Sequence, residues 1–183
     1  MNDQIDIVLP WVDGDDPAWR KIRDEWREKL KDSVDPAANS EIRYKSWDNL
    51  IFWFRAVEKF MPWVNRIFFI TCGHLPDWLN VENKRLRIVR HNEYMPADYL
   101  PTFNALSIEM NIHRISDLSE NYILFNDDMF PLQPIEEEYY FKDNKVCDEA
   151  VENIIVTAGF GAVSNQARYM QVNNMAIINR HFK

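Results

Sequence analysis

Two adjacent carboxylates, Asp127 and Asp128, interrupt an apolar run in the segment YILFNDDMF at 122–130. Like charges at the end of an apolar strand repel one another. A hard divalent cation relieves that repulsion and keeps coordination positions open for phosphate oxygens. The pair also suits a plain turn, because Asp at a strand end bonds the backbone that follows it. A third carboxylate, Asp13, closes the first apolar run, IDIVLPWVD, while Asp15 and Asp16 behind it suit a helix start. Glu109 and His113 lie four apart in LPTFNALSIEMNIHRI and share a face if that segment is one helix. There one can act as general base while the other orients it or binds phosphate; a surface pair without chemistry has the same spacing. Arg114, one residue on from His113, points away from that face, and Arg43 can face a phosphate or merely decorate a loop. His74, His91 and His181 have no partner at metal-ligand spacing and read as structural or exposed.

These groups converge only if the chain folds to bring them together. IDIVLPWV (5–12), RIFFITCG (66–73), LRIVRH (86–91) and YILFND (122–127) read as four strands, the first and last buried. Residues 18–32 predict a helix with Trp19, Ile22, Trp26 and Leu30 on its apolar face. A second helix over 46–61 presents Trp47, Leu50, Ile51, Phe54, Val57 and Met61, and a third runs from Phe103 to Ile115. Residues 33–40 form a polar loop, Pro134 opens a short acidic helical turn, and the last forty residues carry no clear assignment. Strands alternating with helices predict an α/β fold with a mostly parallel sheet, in a single domain over 1–183. Strand ends in such a sheet share an edge, and ligands bind there.

Composition bounds what that edge can bind. The 183 residues are 46% hydrophobic and 14% aromatic, enough for a core, and the formal charge of −8 argues against nucleic acid as the main partner. Two cysteines supply neither a disulfide framework nor a zinc site, and four glycines leave no Walker loop or dinucleotide fingerprint. The N-terminus lacks a basic leader, and no run approaches the ~18 apolar residues of a membrane span. A cytoplasmic protein is expected, able to work at the inner face of a membrane on a lipid-linked acceptor.

Taken in order, several segments resemble one family. IDIVLPWVDGDDPAW resembles the first conserved region of the Stealth sugar-phosphate transferases, and residues 43–130, from RYKSWDNL through YILFNDDMF, resemble the second. That family includes bacterial capsular polysaccharide phosphotransferases and the animal N-acetylglucosamine phosphotransferase. The resemblance implies a Rossmann-like, glycosyltransferase-A-like fold that moves hexose-1-phosphate from a UDP-sugar to a glycan hydroxyl and releases UMP. It implies Mg²⁺ or Mn²⁺ at Asp127 and Asp128, and catalytic roles for Glu109, Asp128 and His113. Asp13, Arg43, Arg114 and Asn126 fall on the substrate side, and the base stays open between Glu109 and His113. His74 stands where the family often has Asn-Gly-Gln, and Asp48 where it often has Glu; the first departure can alter the donor pocket. Two later regions of the family, one with a His motif and one with an Arg, have no counterpart here, so a C-terminally incomplete version is expected. An ordinary glycosyltransferase releasing UDP and an inactive donor-binding module are the competing expectations.

Overall fold

The computed structural model describes residues 4–30, 40–143, 145–147 and 162–182, apart from the side chains of Arg43 and residues 162–167. Contacts divide the chain into one unit of Met1–Asp16 and Lys45–Asp148, and another of Pro17–Tyr44 and Glu149–Lys183.

In the first unit the apolar runs become strands β1 (Ile5–Pro10), β2 (Ile67–Thr71), β3 (Leu86–Arg90) and β4 (Asn121–Leu124). They form one parallel sheet in the order β3-β2-β1-β4. Continuous apolar runs suit β1 and β2 because both faces of a central parallel strand are covered. Alternate residues divide between two cores. On one face Ile7, Leu9 and Phe69 pack with Leu50, Trp53, Val57, Met61, Val64 and Phe125. On the other, Val8, Phe68, Ile70 and Val89 pack with Tyr94, Met95, Ile112 and Ile115. The expected α/β architecture, a parallel sheet flanked by helices, is the one observed.

The first core rests on helix α2 (Leu50–Phe60). It is shorter than expected, and Trp47, placed on its apolar face from sequence, is exposed outside it, whereas Trp53 is wholly buried. The second face is covered by short pieces: α3 (His91–Tyr94), α4 (Ala105–Glu109) and a 3-10 turn at Ile112–Arg114. The single helix expected over 103–115 is therefore broken. Asn111 is the cause. Its Nδ2 donates to the Ser107 carbonyl at 2.8 Å, the acceptor a continuing helix would use for a backbone N–H, and its own N–H turns to Ile108 O.

Strand β4 is also not the buried strand expected. It is an edge of the sheet among the described residues, with Tyr122 and Leu124 exposed and Ile123 turned to the core. A 3-10 turn, Glu137–Tyr139, follows where the acidic helical turn was expected, and then the short hairpin β5 (Phe141–Lys142) and β6 (Lys145–Val146).

The second unit contains α1 (Pro17–Lys29) and α5 (Ala162–His181). On α1 only Trp19 of the expected apolar stripe is buried, while Ile22 and Leu30 are exposed. The buried partner is Arg23, whose guanidinium lies over the Trp19 and Tyr44 rings and bonds Asp24 and Glu41 at 2.9 and 2.7 Å. An ion pair with aromatic faces takes the place an aliphatic residue would have filled. Among the described residues no helix is long and apolar enough to cross a membrane. The polar loop expected at 33–40 lies outside them except for Ser40, as does NIIVTAG.

Candidate functional site

Strand order decides where ligands approach. The chain steps outward from β1 to β2 and β3, then returns to place β4 on the opposite side of β1. At such a reversal the loops leave neighbouring strand ends in opposite directions and open a crevice. Strands lie about 4.8 Å apart, so the loops after β1 and β4 emerge side by side at the carboxyl edge. These two loops carry Asp13 and the Asn126–Asp127–Asp128 run.

The second loop begins where the Phe125 N–H donates to Val8 O at 2.9 Å, the last tie to β1. The chain then turns, with the Met129 N–H donating to Asn126 O at 3.2 Å. Asp127 and Asp128 occupy the two corners of that turn, and Asn126, Asp127 and Asp128 are exposed. Asp127 and Asp128 therefore make a turn, and that turn follows β4, the strand beside β1. Desolvation by the surrounding protein first, and the negative charge of Asp128 second, push the Asp127 carboxyl above its ordinary range. A bound cation would remove that repulsion. Among the described residues no three of His, Cys, Asp and Glu gather into a metal-binding group. A Mg²⁺-type ion needs only one or two carboxylates and completes its shell with water and phosphate oxygens. The donor set at 127–128 fits such an ion and suits a closed protein cage poorly.

In the first loop, the Asp13 carboxylate accepts the Asp15 N–H at 2.9 Å, which shapes the turn. The Asp13 N–H itself donates to His74 Nδ1 at 3.0 Å, tying this loop to the one after β2. Spacing along the chain gave no sign of this tie. The two residues are 61 apart, and only the adjacency of β1 and β2 brings them together.

Glu109 closes α4, which packs on β1, and burial raises its carboxyl pKa. His113 lies beyond the break at Asn111, in the 3-10 turn, and is exposed like Arg114. The shared helix face expected for Glu109 and His113 is thus not present. Arg43 belongs to the turn Glu41–Tyr44, and its side chain lies outside the described residues. His91 is half-buried, and burial lowers its pKa to about 4, so the imidazole is neutral near pH 7.

Comparison with known proteins bears on this geometry. Residues 3–31 match Stealth protein CR1, conserved region 1, and residues 43–149 match Stealth protein CR2, conserved region 2. The chain is 42% identical over 182 residues to capsular polysaccharide phosphotransferase WcwK of Streptococcus pneumoniae, covering 100% of this chain and 53% of that protein. It is 38% identical over 182 residues to receptor polysaccharide phosphotransferase WefC of Streptococcus gordonii, again covering 100% and 53%. Capsular polysaccharide phosphotransferase CpsJ of Streptococcus thermophilus is 38% identical over 180 residues, 97% of this chain and 72% of that protein. The chain spans about half the length of the first two.

Proposed function

This chain belongs to the Stealth family, and from that premise we propose that it carries the donor side of a sugar-phosphate transferase in capsular or exopolysaccharide synthesis. The group moved is a hexose-1-phosphate, such as N-acetylglucosamine-1-phosphate, taken from a UDP-sugar and joined to a hydroxyl of a glycan or lipid-linked glycan. The observation that carries this proposal is the meeting of the Asp13 loop and the Asp127–Asp128 turn at the point where strand order reverses.

The acceptor oxygen forms a bond to the phosphorus that bears the sugar, the bond from that phosphorus to the UMP oxygen breaks, and a phosphodiester results. The difficulty is bringing an oxygen nucleophile to a centre already negative, so positioning and charge neutralisation dominate. Asp127 and Asp128 would hold Mg²⁺ or Mn²⁺, which when bound supplies charge neutralisation for the donor phosphates. Glu109 or His113 takes the acceptor proton. A carboxylate raised by burial is a stronger base than an ordinary one, which favours Glu109. Asn126 and Asp13 orient the donor, with Arg114 as a phosphate contact. We place the reaction in the cytoplasm, at the inner membrane face when the acceptor is lipid-linked.

The test is to incubate the protein with UDP-N-acetylglucosamine, Mg²⁺ and acceptor glycan and identify the nucleotide released. UMP is expected. UDP would make the protein an ordinary glycosyltransferase, and saturable donor binding without release of either would make it a donor-binding module.

A further inference from the structure

His74 is built into the loop after β2 by contacts that fix both its backbone and its ring. Thr71 is buried, and its hydroxyl donates to His74 O at 2.9 Å while accepting the Gly73 N–H at 3.2 Å. Gly73 sits at φ +133°, where a side chain is strained even though the space around it is open. The ring so placed meets Trp11 edge-on at 6.4 Å and accepts the Asp13 N–H on Nδ1. Its Nε2 lies 3.9 Å from Asp16 Oδ1, and Cys72 Sγ lies 3.6 Å from Nδ1.

An imidazole nitrogen that accepts an N–H cannot carry a proton, so this geometry fixes the tautomer with hydrogen on Nε2. We propose that His74 is a positioning residue of the donor site: as the neutral Nε2–H imidazole it clasps the loop after β1 to the loop after β2 and holds Asp13 at the switch crevice. The proposal rests on the donor-side placement of Asp13 made above. Protonation of His74 puts a hydrogen on Nδ1, facing the Asp13 N–H, and the clasp is lost. Among the described residues, the charged and titratable groups around the ring are Asp16, the Asp13 carboxylate (which accepts the Asp15 N–H) and Cys72. Burial raises the pKa of Cys72, which keeps it a thiol and so a second donor toward Nδ1.

The test uses the whole chain in two arms. In the first, long-range ¹H–¹⁵N correlation spectra read the His74 tautomer, and the Asp13 amide shift is followed with pH. An Nε2–H imidazole, with the amide moving at the same midpoint as the ring, supports the clasp; an Nδ1–H imidazole overturns it. In the second, UDP-N-acetylglucosamine with Mg²⁺ is titrated calorimetrically into wild type, His74→Ala and His74→Asn. Asn sets an oxygen acceptor near the Nδ1 position and has no titratable proton. His74→Ala is expected to bind about tenfold more weakly, within the range that small misplacements of site groups produce. His74→Asn should bind within about twofold of wild type. Equal binding by wild type and His74→Ala, or loss in His74→Asn as large as in His74→Ala, overturns the proposal. A wild-type chain that binds no donor sinks the donor-site reading and the donor half of this proposal with it, while the spectra decide the clasp independently.

Discussion

At Asp127 the electrostatics already favour a cation. Desolvation and Asp128 raise its pKa, so the fold destabilises the anion relative to the unfolded chain. A carboxyl with a raised folded pKa contributes a penalty above that pKa, and the penalty is relieved as pH falls through it. Asp127→Asn should therefore raise the metal-free Tm at neutral pH. The gain should vanish below about pH 4, where the carboxyl is protonated in the unfolded chain as well. A calorimetric melt at several pH values measures both. The chemistry pulls the other way: Asp128→Asn should lower turnover by at least about a hundredfold while leaving the circular dichroism spectrum unchanged, since a metal clamp is worth several kcal/mol in the transition state. Turnover within a few-fold of wild type would mean that Asp128 holds nothing the reaction needs.

At the scale of elements, the edge that gathers these residues depends on a core whose centre is Trp53. Its ring meets Phe54 and Phe125 edge-on at 5.2 and 5.6 Å, and Phe125 immediately precedes the acidic turn. Trp53→Ala should cost about 3–5 kcal/mol in urea unfolding. The strands and their parallel pairing were legible in the sequence, because strands covered on both faces are mostly apolar; Asp6 in β1 is the exception, its carboxylate accepting from Asn65 Nδ2 and from the Arg66 and Ser119 N–H groups. The acidic run was legible as the point where the apolar sequence of β4 stops. Other features depended on single polar side chains. Asn111 breaks the helix that a period of 3.6 suggested, and Arg23 fills the place that an aliphatic stripe predicted on α1. The tie from His74 to Asp13 was invisible because no local pattern encodes a contact made only through strand adjacency.

At the scale of the molecule, the chain belongs to the Stealth family and its parallel sheet reverses strand order beside β1. The relatives named as phosphotransferases are longer, two of them nearly twice the length of this chain, so the donor side is the part of the proposed reaction that this chain most directly tests. Anomalous diffraction from crystals soaked with Mn²⁺ and UDP-N-acetylglucosamine addresses it. The account predicts a manganese peak within coordination distance of Asp127 or Asp128, with the donor pyrophosphate on its other side and Asp13 flanking the same crevice. Manganese and donor bound elsewhere, with the β1–β4 edge bare, would contradict it.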